Sequence, residues 1–182
     1  YASAGGERMI PVIVSFYTDD EVYRPAGERL IESLNKLRLK HDVRCIPRFG
    51  EFYDHCFHKP IFLLEMLDMY DEICWCDADN EFQEYPKMLE NIKTDIAVCR
   101  FTSWNWELST TLLYMKDKQN VRELIRVWDE ANKTLPKAWT ADQFNFHLCL
   151  QTAIEKNLLT MSVFPPAYYQ SVDSEVKADP VL

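Results

Sequence analysis

Two aspartates one residue apart, Asp77 and Asp79, close a short apolar run of Ile73, Cys74, Trp75 and Cys76. A strand alternates faces, so side chains at 77 and 79 project to one side if the backbone stays extended. Carboxylates that close repel each other unless a cation or a proton sits between them. Oxygen ligands alone suit a hard divalent ion, Mg²⁺ or Mn²⁺, rather than zinc. Such an ion keeps several waters and binds substrate phosphates through one or two carboxylates. The pair is therefore a candidate diphosphate site. The competing reading is an aspartate that caps a turn or a following helix. A second polar cluster, Tyr17-Thr18-Asp19-Asp20, ends the first apolar run in the same way.

The remaining composition restricts how phosphate can be handled. The 182 residues hold four glycines, at positions 5, 6, 27 and 50. Glycine-rich dinucleotide and Walker loops are thereby excluded, since both bring glycine backbone against phosphate. The formal net charge is −9 and no basic stripe is present, which argues against nucleic acid as a partner. No apolar run reaches the roughly 18 residues needed to span a membrane. Six cysteines, Cys45, Cys56, Cys74, Cys76, Cys99 and Cys149, lie mostly inside apolar runs, as reduced cysteine does in a core. His55, Cys56 and His58 with Cys74 and Cys76 lack the knuckle spacing of structural zinc. Residues 1–8 carry no signal-peptide core; they read as a flexible leader or an expression remnant. A cytoplasmic location is expected.

These candidates need elements to hold them. β-Branched and aromatic runs predict strands at 10–17, 43–49, 72–76, 95–101, 111–115 and 159–164. Apolar residues at helical spacing predict helices over 21–40, 59–69, 119–133 and 141–156, with Pro60 in a first turn where it is tolerated. Residues 168–182 read as irregular. Strand and helix alternate, which predicts one α/β domain over residues 9–182 with a mostly parallel central sheet flanked by helices. Ligands of such sheets sit outside the carboxyl ends of the strands, where both polar clusters fall.

The run Ile73-Cys74-Trp75-Cys76-Asp77-Ala78-Asp79 resembles the strand-then-DxD signature of GT-A type glycosyltransferases. Lys59-Pro60, Thr110-Thr111-Leu112-Leu113-Tyr114-Met115 and Asp142-Gln143-Phe144-Asn145 follow in similar order, the last being similar to the DQ helix of family 8-like retaining enzymes. The resemblance covers about residues 10–164 and implies a GT-A-like (Rossmann-like) fold. It also implies a metal-dependent transfer of sugar from a UDP- or GDP-sugar to a carbohydrate or other hydroxyl acceptor. On it, Asp77 and Asp79 would hold Mn²⁺ or Mg²⁺, completed by Asp173 or water. Tyr17, Thr18, Lys59, Ala78 and Trp104 would join them in binding the donor, with Lys59 as a second positive charge at the phosphates. Asp142 and Gln143 would be catalytic and favour retention; Asp142 or Glu107 would be the base of an inverting enzyme.

Lysine at a helix start opposes the helix dipole, so the expected place of Lys59 makes most sense beside an anion. Trp104 and Trp106 sit in a polar stretch, as an aromatic platform for a sugar face would. His55 and His58 are possible acid–base groups or plain loop histidines. A nucleotidyltransferase would want a glycine-rich basic loop after the first strand, and residues 17–20 offer none. The alternative of another class is a non-catalytic nucleotide-sugar or carbohydrate-binding module of the same fold.

Overall fold

A computed structural model describes residues 10–100, 108–134 and 141–168, apart from the Ala141 side chain. The described elements run β1 (Val12–Thr18), α1 (Tyr23–Lys36), β2 (His41–Ile46), α2 (Phe52–Met69), β3 (Glu72–Cys76), β4 (Ile96–Arg100), β5 (Leu108–Lys116), α3 (Gln119–Thr134), α4 (Ala141–Glu155) and β6 (Met161–Val163). Two short 3₁₀ turns occupy Lys87–Asn91 and Pro166–Tyr168. The six strands form one sheet in the order β2-β1-β3-β5-β4-β6. Pairs β1–β2, β1–β3 and β4–β6 are parallel, and β5 runs antiparallel to both β3 and β4. The expected α/β layering with a mostly parallel sheet is therefore observed, β5 being the reversed strand.

Strand alternation sorts the core into two layers. Val12, Val14, Phe16, Ile73, Trp75, Val98 and Leu113 face α2, α3 and α4, which supply Phe62, Met66, Ile125, Trp128 and Phe146. Ile13, Cys74, Cys76, Ala97 and Tyr114 face the other way, under Leu30 and Leu34 of α1. All six cysteines are free, and Cys74, Cys76 and Cys99 are buried. They lie across the sheet from α2, so they do not join His55 and His58. Among the described residues no three His, Cys, Asp or Glu side chains converge on a metal position.

One sequence expectation is corrected here. The second helix begins at Phe52, not at Lys59. Glu51 N donates to Asp54 Oδ2 at 2.8 Å and so opens the helix a full two turns early. Lys59 and Pro60 consequently lie in the helix interior, where proline has no N–H to give the Cys56 carbonyl one turn back. The helix-dipole argument for an anion beside Lys59 therefore does not apply.

A cleft with one lysine between two carboxylates

A cleft of about 350 Å³ opens at the carboxyl ends of β1 and β3, within the size range of small-molecule sites. Its walls come from β1 (Phe16, Tyr17, Thr18), the first turns of α1 and α2 (Tyr23; Phe52, His55, Cys56), the mid-helix Lys59, the end of β3 and the turn after it (Trp75, Asp77, Ala78, Asp79), Thr110 of β5, and Asp142 and Gln143 of α4.

Lys59 is the hub. It is 6% exposed, and its Nζ lies 3.0 Å from Asp77 Oδ1, 3.7 Å from Asp142 Oδ2 and 3.2 Å from Thr110 Oγ1. The ammonium also sits 5.2 Å from the centre of the Trp75 ring. Burial opposes its charge, but the Asp77 and Asp142 carboxylates outweigh that and raise its pKa above the usual lysine value. Trp75 Nε1 donates to Asp77 Oδ1 at 2.9 Å. Both donors meet Oδ1, leaving Oδ2 of Asp77 available among the described residues.

The chain does not stay extended after β3. Asn80 N and Nδ2 both donate to the Asp77 carbonyl, at 3.2 and 3.1 Å, closing a turn over residues 77–80. Asp77, Ala78 and Asp79 still line the same cleft, brought there by the turn and not by strand alternation. No lysine or arginine forms an ion pair with Asp79 among the described residues. Burial and then the neighbouring Asp77 raise the Asp79 carboxyl above the ordinary range, and burial does the same to Asp142 against the pull of Lys59. Asp142 is thus held buried where the protein under-compensates its charge, while Asp79 stands exposed at the rim of the cleft, open to water or a ligand.

Thr110 reaches the cleft through a break in the β4–β5 ladder. Val98 pairs with Leu113 but Cys99 pairs with Ser109, so residues 110–112 leave β4. On the other edge Leu112 pairs with Cys76, and Asp77 N donates to the Thr111 carbonyl at 2.9 Å. Ser109 Oγ accepts from Thr111 N and donates to Thr111 Oγ1, fixing the bulge. Bulges of this kind re-aim side chains beside sites. Here Thr110 meets Lys59, and its N–H donates to Gln143 Oε1 at 3.3 Å.

The structure brings Tyr17, Thr18, Lys59, Asp77, Ala78, Asp79, Asp142 and Gln143 to one cleft. Tyr17 packs its ring against Gly27, where any Cβ would overlap it. Thr18 Oγ1 donates to Asp20 Oδ2 at 2.5 Å, so its hydroxyl offers a ligand only acceptor capacity. His55 lines the cleft, whereas His58 packs edgewise between Phe16 and Phe49, and burial lowers its pKa. Trp104, Trp106, Glu107 and Asp173 lie outside the described residues. Sequence reasoning missed Tyr23, Phe52 and Cys56. Their signal was their place in the first turn or two after a strand end, where α/β helices start at the ligand edge. Burial and Asp142 push the Cys56 thiol up to about 12, so it is not a nucleophile at neutral pH.

No family model matches the chain, and no curated relative matches it. Solved structures do. A glycosyltransferase involved in glycosylation of the major capsid of PBCV-1 superposes with a TM-score of 0.58 at 11% identity, over 88% of this chain and 85% of that one. The glycosyltransferase GlyE of Streptococcus pneumoniae TIGR4 superposes at 0.53 with 14% identity, over 87% of this chain and 46% of GlyE. Its apo form gives 0.53 at 15% identity with the same coverages. The chain thus spans about half the length of GlyE. What is shared at such identity is the fold, and the fold is one that glycosyltransferases use.

Proposed function

We propose that this protein is a GT-A type glycosyltransferase that moves a sugar from a nucleotide-diphosphate donor, a UDP- or GDP-sugar, to a carbohydrate or other hydroxyl acceptor with the aid of Mn²⁺ or Mg²⁺. The observation that carries this reading is the cleft itself: a buried lysine between Asp77 and Asp142, with Asp79 beside them and in no ion pair among the described residues, at the strand ends where this fold binds ligands.

The donor set fits a hard divalent ion. Asp77 Oδ2 and the Asp79 carboxylate are oxygen ligands under mutual repulsion, and an ion that keeps several waters needs no third protein ligand. Bound there, the ion would supply Lewis-acid neutralisation of charge on the departing diphosphate. The chain's own residues do the rest. Lys59 pairs with both Asp77 and Asp142 and adds fixed positive charge in a water-poor setting. Thr110 N–H and Lys59 orient Gln143 and Asp142 so that both reach the donor sugar. Tyr17, Thr18, Tyr23 and Phe52 form the wall left for the nucleoside.

Nucleoside diphosphate release from a panel of UDP- and GDP-sugars tests the reading. The expected result is Mn²⁺-stimulated release that a chelator removes. Donor binding with no hydrolysis or transfer to any acceptor would make this a binding module, and no donor binding at all would sink the reading.

A further inference from the structure

Helix α4 carries Asp142 and Gln143, yet its sequence does not say which side should turn inward. Phe144 and Leu148 are 41% and 40% exposed, while Asn145 between them is 2% exposed. Turning Phe144 and Leu148 inward would expose Phe146 and Leu150, which are fully buried, so non-directional hydrophobic burial separates the two faces only weakly. Hydrogen bonds add a directional preference for the observed face. On α3, Trp128 and Asn132 are one helical turn apart on one face, and both are buried. Trp128 Nε1 donates to the Asp142 carbonyl at 2.8 Å, and Asn145 Nδ2 donates to Asn132 Oδ1 at 2.9 Å. The Trp128 and Phe146 rings meet at 4.8 Å between centres. Asn132 Nδ2, also buried, has no acceptor among the described residues.

A buried amide pair is a poor way to gain stability, since an apolar pair of the same shape would serve better. It is a good way to fix register, because these hydrogen bonds form in one rotation and one axial position of α4 only. We propose that Trp128, Asn132 and Asn145 are positioning residues: their hydrogen bonds select the face of α4 that turns inward and thereby present Asp142 and Gln143 to the cleft. That the two then serve a bound donor rests on the glycosyl-transfer reading; the clamp itself does not.

The test is the double variant N132L/N145L, which replaces both amides by apolar side chains of similar volume, beside Trp128→Phe, which keeps the ring and removes its N–H. The expected result for the double variant is a thermal midpoint equal to or above the wild type. Amide exchange in the first turn of α4 should nonetheless rise by about tenfold or more while α3 and the sheet keep their protection. Donor turnover should fall by about tenfold or more, as misplacement of reacting groups implies. Trp128→Phe should move exchange and turnover the same way by less, and it decides the matter if the double variant does not fold. Unchanged exchange in α4, or stability and turnover lost together, would overturn the proposal. A wild-type protein that turns over no nucleotide sugar would refute the glycosyl-transfer reading, and the exchange measurement would still decide the clamp.

Discussion

At the end of the sheet away from the cleft, Asp95 meets Lys118 much as Asp77 meets Lys59, with a different outcome. Asp95 is 7% exposed, and every oxygen is used: Oδ1 accepts from Lys118 Nζ at 2.5 Å, and Oδ2 accepts from Thr160 N at 2.8 Å and Thr160 Oγ1 at 2.9 Å. Burial opposes its ionisation, but those bonds win and hold the carboxyl below its ordinary range. The knot ties the start of β4 to the chain entering β6. In the cleft one cation serves two carboxylates, and Asp79 has no ion-pair partner among the described residues, so Asp79 and Asp142 are raised instead. The ingredients are alike. Full hydrogen-bond satisfaction makes a structural staple, and incomplete satisfaction makes a place that gains by receiving a cation or a ligand.

The comparison can be broken by variants, taken from the largest expected change in stability to the smallest. Lys59→Met strands the buried Asp142 and the part-buried Asp77, so chemical denaturation should show a loss of about 3–5 kcal/mol at neutral pH. Calorimetry should show nucleotide affinity lost with it. Asp95→Ala leaves Thr160 and Lys118 without their acceptor and should cost about 1–3 kcal/mol, with nucleotide affinity unchanged. A cleft that weakens along with Asp95→Ala would erase the distinction between staple and site. Asp79→Asn removes a charge the folded state under-compensates, so the ligand-free protein should hold or slightly gain stability at pH 7 while losing the metal-linked part of nucleotide affinity.

The pH dependence sharpens the same contrast. The Asp95 pKa is lowered by folding, so its contribution is present above the ordinary carboxylate range and is lost as pH falls through its folded value. For Asp79 and Asp142 the folded pKa is raised, so ionisation penalises the folded state as pH rises through those values. Denaturation midpoints measured below pH 5 should therefore fall less steeply in Asp95→Asn than in the wild type. In Asp79→Asn the acid limb should be as steep as in the wild type or steeper.

The strands were legible because β1, β3 and residues 112–115 of β5 are buried on both faces and read as apolar runs, and Asp77 and Asp79 were legible because they end one of them. What sequence missed depended on partners far along the chain. Lys59 read as a helix start, since Glu51 and Asp54, which open the helix earlier, carry no apolar periodicity. Its burial needs Asp77 and Asp142, 18 and 83 positions on. Thr110 enters the cleft only through a three-residue register shift that composition does not encode. Asn145 sits between Phe144 and Phe146 and Asn132 between Ala131 and Lys133, and their pairing is visible only once α3 and α4 are docked.

Calorimetric titration of UDP into the wild type and Asp79→Asn, each with Mn²⁺ and with a chelator, bears most directly on the diphosphate site. We expect Mn²⁺ to tighten UDP binding to the wild type by about tenfold or more, an ordinary coupling of 1–3 kcal/mol between two ligands, and to leave the variant unmoved. Equal affinities with Mn²⁺ and with chelator in the wild type, or a full Mn²⁺ response in Asp79→Asn, would contradict the account.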